Sequence, residues 1–149
     1  MNTNLDWQLL STRYEKQTNW HVITGTVSSG KTTIVDSLAQ KGFQILSEAG
    51  RTYVEEEITK GRAVAEIREN AVFFTLKVIE RMLKNETLLN AENVCFLDRA
   101  VPDGLAFCRA NGINPNDVLK YCFRHRYASV FLLDRFPVEQ DGIRNEDDT

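Results

Sequence analysis

A chain of 149 residues suits one domain, of a size that buries about 70% of the surface its unfolded form exposes. Its 42% hydrophobic and 26% charged content is ordinary for a globular protein, and a net charge of −3 gives no global attraction to nucleic acid or to an anionic membrane. The three cysteines, Cys95, Cys108 and Cys122, are odd in number and sit in apolar surroundings, which predicts reduced, buried thiols in a cytoplasmic protein, not a disulfide frame or a metal set. No apolar run approaches the roughly 20 residues of a membrane span, and the first residues lack the basic and apolar regions of a secretion signal.

Residues 1–19 read as a polar N-terminal extension in which Leu5, Leu9 and Leu10, with Trp7 and Tyr14, predict a short helix over 5–16 without chemistry. The domain proper is expected over 20–149. Residues 20–24 read as a short buried strand, and 22–33 then fit the pattern G-x-x-x-x-G-K-[ST], with Gly25, Gly30, Lys31 and Thr32 in the fixed positions. Glycines at those points let the loop turn tightly, so the backbone N–H groups of Gly25, Thr26, Val27, Ser28, Ser29 and Gly30 can form a concave anion site. The helix that follows adds its unpaired N–H groups and the positive end of its dipole. Lys31, expected to be an exposed loop cation, would bridge the β- and γ-phosphates; the Thr32 hydroxyl would ligate Mg²⁺, and Thr33 can donate to the α-phosphate. A glycine-rich turn that binds nothing would leave Lys31 an unexplained cation at a helix start. The stretch therefore reads as a nucleotide-phosphate site.

Apolar residues at 34, 35, 38 and 39 predict a helix that Gly42 ends. A second strand over 43–46 runs into Ser47-Glu48-Ala49-Gly50-Arg51, with Ser47 a natural N-cap. Glu48 and Arg51 thus fall at the carboxyl end of a strand, the edge of an open parallel sheet where ligands bind. They also admit a plainer reading, as a pair decorating the first helical turn. Glu55, Glu56 and Glu57 read as a solvated face. The longest helical pattern runs over 64–89, where Ile67, Ala71, Phe74, Val78 and Met82 recur at three- and four-residue steps.

An apolar strand over 93–97 ends in Asp98-Arg99. An acid at that position beside a phosphate loop holds Mg²⁺ or its water shell; the alternatives are that Asp98 caps the next helix, or that Asp134, ending a later strand, takes the metal role. Helices follow over 101–111, closed by Gly112, and over 115–124, with Asn114 as cap. His125 reads as a loop residue without a role. The fourth strand covers 129–134, and 135–149 is polar, broken by Pro137 and Gly142. Four strands separated by helices predict an α/β fold with a parallel sheet in a three-layer P-loop NTPase sandwich.

The phosphate loop, Ser-Glu-Ala-Gly-Arg after the second strand, Leu-Asp-Arg after the third, and Phe-Leu-Leu-Asp followed by Asp141-Gly142-Ile143-Arg144 together resemble the small AAA_28-type P-loop ATPases. Relatives of that family include the nicotinamide riboside kinase domain of the bacterial NAD-synthesis regulator, and the layout is similar to nucleoside and nucleotide kinases. The resemblance covers residues 20–146. It implies ATP and Mg²⁺ as cofactors, Glu48 and Arg51 facing an acceptor, Asp98 near Mg²⁺, Arg99 at substrate or phosphate, and Arg135 and Arg144 in a lid. Members normally continue into a fifth strand, so this sequence, ending at Thr149, reads as truncated, with a sheet edge bared beside the first strand. The expected activity is γ-phosphoryl transfer to a small, nucleoside-like acceptor whose hydroxyl proton Glu48 or Asp98 accepts. The alternative is a regulatory ATP-binding switch without an acceptor. No Asn-Lys-x-Asp sequence supports guanine recognition, and the chain has no room for the second helical subdomain of a ring-forming AAA+ machine.

Overall fold

The computed structural model describes residues 4–26 and 29–134. Its centre is β2 (Trp20–Gly25), flanked in parallel by β4 (Cys95–Asp98) and β6 (Ser129–Leu133), with β3 (Gln44–Leu46) outside β4. The sheet order is β3-β4-β2-β6. Side chains alternate across it. Trp20, Val22, Cys95 and Leu97 pack with Leu46 on one face, while His21 stacks on Phe96 with ring centroids 5.2 Å apart on the other. Because the strands are parallel, each return needs a crossover, and helices provide it. Helix α1 (Lys31–Gln40) packs on β2, β3 and β4. A separate helical core gathers α2 (Ala49–Thr59), α3 (Val64–Arg68), α4 (Ala71–Leu88), α5 (Asp103–Ala110) and α6 (Asn116–Leu119) around Tyr53, Ile67, Val78, Ile79, Met82 and Leu119. This is a parallel sheet flanked by helices, the three-layer sandwich of P-loop NTPases.

Several local expectations are corrected. Residues 5–16 form no α-helix. They hold one 3₁₀ turn, Leu9–Ser11, and then the strand β1 (Lys16–Gln17), which pairs in parallel with β5 (His125–Arg126). The Asp6 carboxylate accepts the N–H of Gln8 at 2.9 Å, a local bond that competes with a helix, and Leu5 and Leu9 pack on the helical core. Ser47 is not the cap of α2; Glu48 occupies that position, without a side-chain cap bond. The helix expected over 64–89 is two helices, split where Asn70 leaves the helical region and its side chain accepts the N–H of Phe73 at 3.0 Å. The segment 115–124 is helical only over α6, and the Asn114 side chain accepts the N–H of Asn116 at 3.0 Å ahead of it. His125 is no loop residue; its ring lies 4.7 Å from that of Trp20. The place beside β2 that was expected to be bare holds β6, so the edges of the described sheet are β3 and β6.

Candidate functional site

The described residues of the loop between β2 and α1 carry several features that anion sites use. Gly30 occupies the N-cap of α1 at φ 81°, a left-handed conformation that favours glycine. It offers no side chain, so none caps the first N–H groups of the helix, and no acidic residue occupies its first turn. A Cβ on Gly25 would come within 2.7 Å of the Leu133 carbonyl oxygen, so β6 approaches the loop as closely as glycine allows. The Ser29 Oγ is buried and has no hydrogen-bond partner among the described residues. A buried hydroxyl in that state is what a phosphate oxygen would satisfy. Thr26, Thr32 and Thr33 are exposed around the loop. Val27, Ser28, Arg135 and Arg144 lie outside the described residues.

Lys31 is not the exposed cation expected of it. It is 8% exposed, and its Nζ donates to the Asp98 carboxylate and, at 3.1 Å, to Glu48 Oε2. The register explains the meeting: Asp98 pairs with Ile23, which brings the tip of β4 level with the start of the loop. Asp98 is 4% exposed and faces the lysine. It does not cap α5; the turn before that helix is tied by Asp103, whose Oδ2 accepts the N–H of Ala100 at 2.8 Å. Asp134 is exposed at the end of β6. Asp98, held by Lys31, and the exposed Thr32 hydroxyl at the start of α1 offer oxygen donors of the kind a hard cation takes.

Arg99 follows with φ 69°. Its Nε is 3.9 Å from the same Glu48 oxygen, and its Nη1 donates to Thr24 Oγ1 at 3.3 Å and lies 3.7 Å from Asp103. Glu48 is thus shared by Lys31 and Arg99. Among the described residues it forms no ion pair with Arg51, so the plainer Glu48–Arg51 reading is corrected.

Beyond Glu48 opens a cleft of about 730 Å³ between α2, α4 and α5, within the range of small-molecule sites. Glu48, Arg51, Arg68, Phe74, Arg99 and Phe107 line it. The first, second and fifth of these were singled out in the sequence. Arg68, Phe74 and Phe107 were not, because no motif carries them and the rings read as core.

A second buried group stands behind the site. Glu86, 3% exposed, accepts the N–H of Val101 at 2.8 Å and the Tyr127 hydroxyl at 2.6 Å, with His125 Nδ1 3.7 Å away. Burial and the Glu86 charge push the Tyr127 phenol far above its ordinary range. In sequence Glu86 is one more polar residue of a helix and gives no signal.

Among the described residues no helix is long and apolar enough to cross a membrane. Comparison with curated proteins yields no match. The AAA_28 family model, described as an AAA domain, matches residues 20–149, which include the whole parallel sheet, the loop and the cleft. On that span the chain belongs to the AAA_28 family, with the ATP-binding fold of P-loop NTPases.

Proposed function

We propose that the chain is an ATP·Mg²⁺-dependent small-molecule kinase whose acceptor binds in the cleft between α2, α4 and α5. One observation carries this reading: Glu48 stands between the phosphate-loop lysine and the cleft, 3.1 Å from Lys31 and 3.9 Å from Arg99. The family match supports the ATP-binding half of this reading, and the resemblance of the sequence motifs to those of nucleoside and nucleotide kinases suggests the transfer half.

Residues 25–33 would hold the triphosphate, and Thr32 and Asp98 the Mg²⁺, which together supply an electrophilic γ-phosphorus with its charge partly neutralised. With nucleotide bound, Lys31 would turn from its two carboxylate partners to phosphate oxygens and leave Glu48 free on the cleft side. Glu48 then accepts the hydrogen bond of an acceptor hydroxyl, orients it and takes its proton. Arg99, fixed by Thr24 and Asp103, lies beside the same oxygen and offsets negative charge at the acceptor. Arg51 contributes to acceptor binding.

The test is product analysis with labelled ATP·Mg²⁺ across a nucleoside and nucleotide panel, repeated with Glu48→Gln. Transfer should fall roughly 10²-fold or more while ATP affinity stays within a few-fold, since Lys31 keeps Asp98 as its resting partner. ATP binding or hydrolysis with no acceptor phosphorylated would replace the kinase by the regulatory switch.

A further inference from the structure

Resting on the kinase reading, we propose that the acceptor is an anionic, ring-bearing metabolite of the nucleoside-phosphate class. Its phosphate is held by Arg51 and Arg68, away from the hydroxyl that meets Glu48.

Charge in the cleft is the first ground. Three guanidinium groups line it, from Arg51, Arg68 and Arg99, against two carboxylates, Glu48 and Glu55. Glu48 is already shared by Lys31 and Arg99. Glu55 is one helical turn from Arg51 on α2, yet among the described residues neither forms an ion pair, and Arg68 forms none either. Two arginines that line the same cleft are therefore without a carboxylate partner among the described residues. A phosphate monoester carries a charge of about −1.5 to −2 near neutral pH, which two guanidiniums match and a single carboxylate would not.

The second ground is the pairing of cation with ring. The Arg68 guanidinium lies over the Phe74 ring at 5.2 Å, and that of Arg99 over Phe107 at 5.7 Å. A cation held over a ring face is positioned by it without using its N–H groups, which for Arg68 leaves them available to a phosphate. Phe74, Phe107, Val78 and Met82 together give the cleft an apolar lining for a flat base or ring. Phosphate on the arginines, ring on the aromatics and hydroxyl at Glu48 use all three parts of the cleft.

The reaction remains a balanced transfer. The acceptor hydroxyl oxygen forms a bond to the γ-phosphorus, the bond from that phosphorus to the β,γ-bridging oxygen breaks, ADP leaves with those electrons, and the hydroxyl proton passes to Glu48. The acceptor's own phosphate is a handle and does not react.

The experiment measures binding without turnover. With the phosphate loop saturated by a non-hydrolysable ATP analogue and Mg²⁺, calorimetry compares adenosine, guanosine, cytidine and uridine with their 5′-monophosphates. At least one monophosphate should bind about tenfold or more tighter than its nucleoside. Arg51→Ala combined with Arg68→Ala should erase that difference while the ATP analogue binds as before, which also reports an intact fold. Equal affinity of nucleoside and monophosphate, no monophosphate binding at millimolar concentration, or a preference that survives the double substitution would overturn the proposal. A preference that depends on both arginines, with no phosphate transferred from ATP, would instead overturn the kinase reading and leave the anion site standing.

Discussion

Replacing the phosphate-loop lysine is the usual way to silence such a site, and here it should also unfold part of the stability. Lys31→Ala removes the partner of Asp98, and the two side chains are only 9% and 4% exposed. Taking one member from a buried pair leaves an uncompensated charge and costs about 3–5 kcal/mol. Glu48, the other partner, is 30% exposed, so water can reach the gap, and the low end, about 3 kcal/mol, is expected. For a domain of this size that is a fall in Tm of roughly 6–12 °C. The assay is urea unfolding without nucleotide, followed by circular dichroism. Asp98→Asn alone leaves Lys31 on Glu48 and should cost less, about 1 kcal/mol. Adding Asp98→Asn to Lys31→Ala should restore stability, because the stranded charge is gone. The reasoning is refuted if Lys31→Ala lies within about 0.5 kcal/mol of wild type, or if the double variant is no more stable than Lys31→Ala. ATP·Mg²⁺ at about 100 times its Kd should raise wild-type stability by about 2.7 kcal/mol, an increment the variant lacks. Loss of function in Lys31→Ala therefore has to be counted per folded molecule.

Burial pushes the thiols of Cys95 and Cys108 up and that of Cys122 up to about 12, so iodoacetamide at about pH 8 should leave all three unmodified in the folded protein and alkylate all three in urea. Mass spectrometry reads the outcome, and fast native labelling of any one would contradict the packing. Tyr127 is raised, so the stability it contributes is complete below its unfolded value of about 10 and is lost as pH climbs beyond it. An absorbance titration should show at most three of the four tyrosines ionising before the chain unfolds; a fourth ionising in the folded state would refute the Glu86–Tyr127 burial.

What the sequence reveals here is what local constraints determine. The glycine spacing at Gly25 and Gly30 needs only the preceding strand and the following helix to be meaningful, and both are short-range patterns. Asp98 was legible for a related reason, since the end of an apolar run is the end of a buried parallel strand. The burial of Lys31 was not, because it depends on the register between β2 and β4, which brings Lys31 to Asp98, 67 residues further along the chain. The break at Asn70 was missed because neither glycine nor proline marks it, and a side-chain cap in mid-pattern looks like any polar residue. Phe74 and Phe107 looked like core from their helical spacing. They are cleft walls because α4 and α5 leave an opening between them, which periodicity along one helix does not encode.

The turn after β4 explains how two consecutive residues serve one site. On a strand, neighbouring side chains point to opposite faces, so Asp98 on the lysine would send Arg99 away from it. Instead Arg99 takes φ 69°, and its guanidinium returns to Glu48 and Thr24. A left-handed conformation at a non-glycine residue costs about 1–2 kcal/mol and persists only where its surroundings over-determine it. Three successive backbone N–H groups do so: Arg99 donates to the Ile23 carbonyl at 3.0 Å, Ala100 to Asp103 at 2.8 Å and Val101 to Glu86 at 2.8 Å. Each anchor belongs to a different element, β2, α5 and α4. The buried carboxylate of Glu86 is tied in turn to Tyr127, beside the start of β6. Sheet, helices and the strand nearest the phosphate loop therefore all bear on one strained residue. Its strain is what turns a strand end into a site where Asp98 meets the phosphate-loop lysine and Arg99 meets the cleft.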